Sequence, residues 1–234
     1  MTLGTLYGVG VGPGDPELVT IKAFRKLKEC PVIAYPKKMR GSKSYAQKII
    51  DLYVDPQQKI MLGLVFPMTK DEDTLQQEWA KSVEQIYAYL QEGKDVAFVT
   101  EGDPMLFSTY IHLMKLMKAQ HPDVPMQSVA GISSFNGTAN RLHIPLADGD
   151  DHVAMIPATT NKEEMRKVLE THDGIVFIKI AKVLDQMLDL LEEMNLIKNT
   201  HVVTKVTSDE EVIWDVENLR GTDLNYLSCM IVRK

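Results

Sequence analysis

Residues 8–23 read GVGVGPGDPELVTIKA, and this stretch predicts a strand, a glycine-rich loop and a helix in succession. Its four glycines come at the end of Leu6–Val11, an apolar segment typical of a buried strand. Asp15, Pro16 and Glu17 then predict a helix start, because a capping aspartate, a proline at the first helical position and an acidic first turn all favour one. A glycine loop between a strand and a helix allows a ligand to approach the backbone closely.

Strands and helices are predicted in alternation along the rest of the chain. The helix that begins at Asp15 has one apolar face, formed by Leu18, Ile21, Phe24 and Leu27. The later predicted strands are 32–35, 60–66, 95–100, 126–130, 153–156, 174–179, 201–206, 211–216 and 226–232. The later predicted helices are 43–53, 75–93, 106–118, 161–170 and 182–194.

This order predicts an α/β protein with two domains. Residues 1–134 form an N-terminal domain with a mostly parallel five-stranded sheet and helices on both faces, because helical segments separate its strands. Residues 135–234 form a second α/β domain. Its last two strands have no helix between them, so its sheet is expected to be mixed.

The composition and charge of the sequence argue against several classes of protein. The 234 residues are 44% hydrophobic and 25% charged, which is typical of a globular protein. No apolar run reaches the roughly 18 residues of a membrane-spanning helix, and no signal peptide is visible, so a cytoplasmic protein without a membrane partner is expected. The net charge of -6 argues against nucleic-acid binding. The two cysteines and six histidines show no metal-ligand spacing, and no metal site is expected.

Two common nucleotide-binding motifs do not fit the glycine loop. A dinucleotide fingerprint counted from Gly8 needs glycine at Pro13, and counted from Gly10 it needs glycine at Asp15. A phosphate-binding P-loop needs Gly-Lys-Ser/Thr, which does not close this loop. Asp15 and Glu17 also oppose an anion at the helix start. An acidic helix start suits a ligand that carries positive charge, or one whose chemistry lies above the loop.

Two further polar loops follow predicted strands. Residues 100–107, TEGDPMLF, follow the fourth strand, and residues 131–134, GISS, follow the fifth. Ligands of open α/β sheets bind outside the carboxyl ends of the strands. We therefore expect the three loops to lie at one edge of the first sheet.

Together, GVGVGPGDPELVTIKA at 8–23, EGDPMLF at 101–107 and AGISS at 130–134 resemble the tetrapyrrole (corrin/porphyrin) methyltransferases that use S-adenosylmethionine. The resemblance extends over essentially the whole chain. Within the family, PLADGDD at 145–151 and AMIPA at 154–158 are most similar to members of the corrin pathway that methylate C20 of precorrin-2 or cobalt-factor II.

The resemblance implies a homodimer in which S-adenosylmethionine lies in a cleft between the two domains. It also implies a set of cofactor-binding residues in both domains. These are Gly12, Pro13, Gly14, Glu101, Gly102, Asp103, Leu106, Ser133, Ser134, Ile178 and Val206. Relatives more often have methionine at Ile178 and glycine or alanine at Val206, which indicates contact through the main chain at both positions.

The cofactor already carries an electrophilic methyl group, so the protein is needed mainly to align the methyl with the substrate carbon. A base can then remove a proton from that carbon. Asp15, Glu101, Asp103 and Tyr110 are the candidates, and the sequence does not choose among them.

The substrate implied by the resemblance is an anionic tetrapyrrole. Lys37, Lys38 and Arg40 begin the one dense basic run of the sequence and are the candidate substrate-binding residues. Two alternatives stay open: a methylase of the same family that acts at another ring carbon, such as C11 of precorrin-4, or a non-catalytic nucleotide- or tetrapyrrole-binding module.

Overall fold

A computed structural model of the chain describes residues 2–39, 41–42, 44–67, 71–158 and 161–234. The chain divides into two compact units, Met1–Ser133 and Ser134–Lys234. Within the described ranges, no helix is long and apolar enough to cross a membrane.

The first unit is built on a parallel sheet of five strands in the order β3-β2-β4-β1-β5. Its strands are β1 (Leu6–Gly10), β2 (Val32–Lys37), β3 (Ile60–Val65), β4 (Val96–Thr100) and β5 (Met126–Val129). Its helices are α1 (Ile21–Glu29), α2 (Tyr45–Ile50), α3 (Glu72–Gln91) and α4 (Thr109–Gln120).

Helices cover both faces of this sheet, as predicted. Every residue of the central strands β1 and β4 is buried, which explains their uninterrupted apolar sequences. Successive residues of β4 point to opposite faces, so Ala97 packs in the cluster that contains Leu27 of α1. Phe98 packs in the opposite cluster with Ile86 of α3 and Leu113 of α4.

The second unit contains a mixed sheet in the order β6-β7-β10-β8-β9, also as predicted. Strands β6 (Val153–Pro157) and β7 (Gly174–Ile178) are parallel. Strand β10 (Ser228–Arg233) lies antiparallel between β7 and β8 (Thr200–Thr204), and β9 (Val212–Trp214) pairs antiparallel with β8. The helices of this unit are α5 (Ser134–Leu142), α6 (Lys162–Thr171) and α7 (Leu184–Glu193).

The predicted start of the first helix is wrong. The Asp15 side chain accepts a hydrogen bond from the main-chain N–H of Glu17 (2.8 Å), but it caps only a short 3-10 turn, Pro16–Leu18. Helix α1 begins at Ile21, after Thr20, whose hydroxyl caps it. The chain therefore has two consecutive helix starts, one for the 3-10 turn and one for α1, where the sequence predicts a single helix start.

The predicted apolar face of that helix is confirmed at Leu27 and wrong at Ile21 and Phe24. Ile21 is 86% exposed and Phe24 is 38% exposed, whereas Ala23 and Leu27 are buried. The residues of α1 that point to the sheet are Ala23 and Leu27, which are four residues apart and so lie on the same face of the helix. Phe24 packs edge-on against Tyr53, with ring centroids 5.3 Å apart.

We expect Gly8→Ala to destabilise the first unit. A Cβ at Gly8 would lie 2.2 Å from Cε1 of the Tyr110 ring, which is fully buried. Overpacking of this kind costs about 1–3 kcal/mol, and urea denaturation measures it.

Tyr110→Leu supplies the control, since leucine frees the space that a methyl group at position 8 needs. The double variant should lose less stability than the sum of the single losses. Additive losses would show that the tyrosine ring is not what excludes a side chain at Gly8.

Candidate active site

The loops after β1 and β4 are joined through their main chains. The Gly102 N–H donates to the carbonyl of Gly12 (2.8 Å), and the Gly12 N–H donates to the carbonyl of Gly102 (3.4 Å), which forms an isolated antiparallel bridge. Both residues have left-handed backbone, with φ of 82° and 64°. That conformation explains the glycine at each position.

The loop after β5 packs against the main chains of Gly10 and Gly102. A Cβ on Gly10 would lie 2.5 Å from the carbonyl oxygen of Gly102 and 2.8 Å from Cα of Gly131, and a Cβ on Gly131 would lie 2.1 Å from the same oxygen. Any side chain at Gly10 or Gly131 would force these main chains apart. The three loops therefore meet at one edge of the first sheet, as the sequence led us to expect.

Asp103 ties two of these loops together. Its Oδ2 accepts a hydrogen bond from the Gly131 N–H (3.0 Å), and its Oδ1 accepts one from the Met105 N–H (2.8 Å). Both carboxylate oxygens are therefore bonded to main-chain groups. In this structure Asp103 holds the loop after β5 against the loop after β4.

Glu101 lies at the carboxyl end of β4 and contacts the start of α2. Its Oε1 accepts a hydrogen bond from the Ala46 N–H (3.1 Å), in the first turn of that helix. Burial raises the pKa of the Glu101 carboxyl above its ordinary value of 4.5, while main-chain hydrogen bonds and the positive charge of Lys38 act in the opposite direction. Because the partner of Glu101 is a main-chain N–H group, no sequence motif predicts this hydrogen bond.

Tyr110 lies away from the loops. It is fully buried, its ring packs against Gly8, and its hydroxyl donates to the carbonyl of Gln127 within β5 (3.4 Å). Burial raises the pKa of Tyr110. Of the four candidate bases, Asp15, Glu101 and Asp103 lie in the loops and Tyr110 lies in the core.

The remaining predicted cofactor residues of the first unit lie in the same loops. Gly102 is close to the third loop, because a Cβ added to it would lie 3.6 Å from Cα of Ser133. Pro13, Gly14 and Ser133 are buried, and Leu106 is half-buried. Ser134, also a predicted cofactor residue, is the first residue of the second unit and begins α5.

The predicted cofactor residues of the second unit lie at one edge of its own sheet. Strands β7 and β8 run in the same direction, because both are antiparallel to β10. Ile178 is the last residue of β7, and Val206 follows the end of β8 by two residues. Both therefore lie at carboxyl ends of strands.

Lys37 and Lys38 lie at the carboxyl end of β2, on the same edge of the first sheet as the loops. The Lys37 stem covers Gly63 of the neighbouring strand, and its Nζ is 5.3 Å from the centroid of the Tyr35 ring. Arg40, the third candidate substrate-binding residue, lies outside the described residues.

Neither cysteine provides a reactive thiolate. Burial raises the pKa of Cys30 and that of Cys229 to about 12 each. In the part of the chain that the structure describes, no three His, Cys, Asp or Glu side chains are grouped so that they could hold a metal ion.

The fold and the three joined loops are those of an α/β protein whose candidate ligand site lies at the carboxyl ends of its strands. Comparison with known families gives the particular assignment. The chain belongs to the Tetrapyrrole (Corrin/Porphyrin) Methylases, which its residues 5–220 match.

Curated relatives match almost end to end. The chain is 35% identical to a probable cobalt-precorrin-2 C(20)-methyltransferase of Methanocaldococcus jannaschii, over 98% of the chain and 96% of the relative. It is 30% identical to the cobalt-precorrin-2 C(20)-methyltransferase of Salmonella typhimurium, over 99% and 97%.

Solved structures share the fold. A cobalt precorrin-4 methyltransferase superposes with a TM-score of 0.74 at 21% identity, over 98% of this chain and 94% of that one. The uroporphyrin-III C-methyltransferase of Thermus thermophilus, in complex with S-adenosylhomocysteine, superposes with a TM-score of 0.70 at 20% identity, over 99% and 98%. The predicted family and fold class are confirmed.

Asp103→Ala should lower both the stability of the first unit and its affinity for S-adenosylhomocysteine. Hydrogen bonds to a charged group contribute about 1.5–3 kcal/mol, and their loss frees the loop after β5. Urea denaturation and titration calorimetry measure the two effects.

Asp55→Ala is the matched control for Asp103→Ala. Asp55 accepts hydrogen bonds from the Gln57 main chain and the Gln58 side chain in a turn that precedes β3, at the opposite end of the strand from the carboxyl edge. Its loss should leave ligand affinity unchanged. Equal affinities for the Asp103 variant and the wild-type protein would show that the link between loops has no part in binding.

Glu101→Gln should change how stability depends on pH. Because burial raises the folded-state pKa of Glu101, the wild-type protein loses stability as the pH rises above the unfolded-state value and through the folded-state value. Glutamine does not titrate and can still accept from Ala46. The variant should gain stability relative to the wild-type protein from about pH 4.5 upward, measured by denaturation at a series of pH values. Parallel pH profiles would contradict the raised pKa.

Proposed function

We propose that this chain transfers a methyl group from S-adenosylmethionine to C20 of precorrin-2, or of its cobalt-bearing counterpart, in cobalamin biosynthesis. The observation that carries the proposal is the near-complete match, at 35% identity, to a relative named for that reaction. The methyltransferase class is shared by the family and by both curated relatives described above.

The residues at the edge of the first sheet suit the charges of this cofactor. S-adenosylmethionine carries a sulfonium and an ammonium group, and carboxylates at Asp15, Glu101 and Asp103 favour positive charge nearby. Its carboxylate and ribose hydroxyls need hydrogen-bond donors.

The cofactor supplies the electrophilic methyl, and the protein supplies alignment. Reaction requires the substrate carbon, the methyl carbon and the sulfur to be in line, and groups held in that geometry react far faster than free ones. The bridge between Gly12 and Gly102 and the bonds of Asp103 hold the loops in one arrangement. We infer that this rigidity is the main contribution of the first unit to catalysis.

Glu101 is the best candidate among the bases. Both oxygens of Asp103 already accept main-chain hydrogen bonds, and Asp15 caps the Pro16–Leu18 turn. The pKa of Glu101 is raised by burial, and a base whose pKa is closer to the working pH transfers protons more effectively.

The proposal includes a homodimer in the cytoplasm and an anionic substrate. Lys37 and Lys38 lie at the edge that carries the cofactor loops, where positive charge attracts the peripheral carboxylates of a tetrapyrrole. The position of the cofactor in a cleft between the two domains stays a prediction.

Product analysis tests the proposed function directly. Purified protein is incubated with S-adenosylmethionine and either precorrin-2 or its cobalt-loaded form. We expect S-adenosylhomocysteine release over many turnovers and a new methyl group at C20, located by NMR. A methyl group at another carbon would show a different methylase of the family, and binding without turnover would show a non-catalytic module.

Replacing Lys37 and Lys38 by serine should raise the KM for the tetrapyrrole and reduce its dependence on salt, because a screened attraction is lost. The affinity for S-adenosylhomocysteine should stay at the wild-type value. Steady-state kinetics at several ionic strengths measure the change.

The control for this pair removes the same charge from exposed positions on α4, with Lys115→Ser and Lys118→Ser. An equal change in KM in both double variants would show a general charge effect. An unchanged KM in the Lys37 and Lys38 variant would place substrate recognition elsewhere.

A further inference from the structure

The carboxyl edge of the second sheet contains an unusual backbone. Lys179 after β7, and Lys205 and Thr207 after β8, have φ of 59°, 46° and 67°. Residues with side chains rarely adopt this left-handed conformation, and a β-branched residue such as Thr207 is a clear outlier. Strained residues of this kind occur preferentially at ligand clamps and active sites, where the surrounding structure holds them.

Glu211 is the side chain that holds this turn. Its Oε2 accepts a hydrogen bond from the N–H of the strained Thr207 (2.8 Å). Its Oε1 accepts from Nε of Arg141 in the last turn of α5 (2.7 Å). The Glu211 side chain is only 13% exposed, whereas the Arg141 side chain is 52% exposed, so the carboxylate is mostly covered and its partner lies at the surface. Both bonds are charge-assisted.

Main-chain bonds fix the other side of the turn. The Lys205 N–H donates to the carbonyl of Leu227 (2.8 Å), and the Ser208 hydroxyl donates to the carbonyl of Lys205 (2.8 Å). The Glu211 N–H donates to the carbonyl of Ser208 (3.1 Å). The turn is therefore held from both ends, as a strained conformation requires.

The residue at the centre of the turn has its side chain turned inward. Val206 is 3% exposed, and the residues on both sides of it are the strained ones. A ligand at this edge would therefore meet the main chain of the turn and not the valine side chain. The position of that main chain depends on the bonds of Glu211.

We propose that Glu211 is a positioning residue for the methyl donor: anchored by Arg141, it holds Lys205–Thr207 in the strained form whose main chain contacts S-adenosylmethionine. This rests on the proposed function, because it assumes that the chain binds this cofactor. A turn that only connects β8 to β9 would need no half-buried carboxylate to keep lysine and threonine in a left-handed backbone.

The test compares Glu211→Ala with the wild-type protein. We expect S-adenosylhomocysteine to bind roughly tenfold more weakly by titration calorimetry, the size of effect given by one lost hydrogen bond to a charged group. Amide hydrogen exchange at residues 205–208 should become faster. The KM for S-adenosylmethionine should rise, while the KM for the tetrapyrrole stays unchanged.

Glu193→Ala is the matched control. Glu193 also accepts hydrogen bonds from two basic side chains of the second unit, Lys162 and Arg166, but it lies at the end of α7 and away from the turn. Its loss should leave the affinity for S-adenosylhomocysteine and the exchange at 205–208 unchanged.

The outcomes separate the two proposals. If the wild-type protein does not bind S-adenosylhomocysteine, the proposed function fails. If it binds and folded Glu211→Ala binds equally tightly, the role of Glu211 is overturned. Should Glu211→Ala fail to fold, Glu211→Gln and Arg141→Met each remove part of the anchor, and wild-type affinity in both would overturn the proposal.

Discussion

The main chains of three loops cross at one edge of the first sheet with no room between them for a side chain. Gly10, Gly102 and Gly131 approach so closely that a Cβ would lie 2.5 Å from the Gly102 carbonyl oxygen if added to Gly10 and 2.1 Å from it if added to Gly131. This constraint fixes where Glu101 and Asp103 can lie. In the structure, Gly10 and Gly131 are the residues that let the loops pack.

The carboxylates use this arrangement in different ways. Asp103 joins two loops through main-chain N–H groups, whereas Glu101 contacts the start of α2 and keeps a raised pKa because of burial. Bonds that hold loops in one arrangement reduce the entropic cost of ordering them when a ligand binds.

Much of the fold follows from the sequence, because the central strands β1 and β4 are buried on both faces and their sequences are largely apolar. The sequence does not predict helix α5, since Asn136, Gly137 and Asn140 favour loops and turns over a helix interior. It misplaces the start of the first helix because Asp15 and Pro16 are helix-start signals that suit a 3-10 turn equally well. In these cases tertiary packing overrides local preference.

The site could be predicted only in part. The loops and their common edge follow from strand ends, but the partners of Asp103 and Glu101 are main-chain groups distant in sequence. Tyr110 is a candidate base from the sequence, but in the structure its ring packs against Gly8. The sequence does not specify the direction of that side chain. The left-handed backbone of Lys205 and Thr207 cannot be predicted from the sequence either, because neither residue type favours that conformation.

A crystal structure of this chain with S-adenosylhomocysteine would show whether the three loops of the first unit form the cofactor site. We expect the ligand to contact Gly102, Asp103 and Ser133, with Gly10, Gly102 and Gly131 packed as they are in the present structure. A ligand bound away from these loops, or loops that separate when it binds, would show that the three loops are not the site.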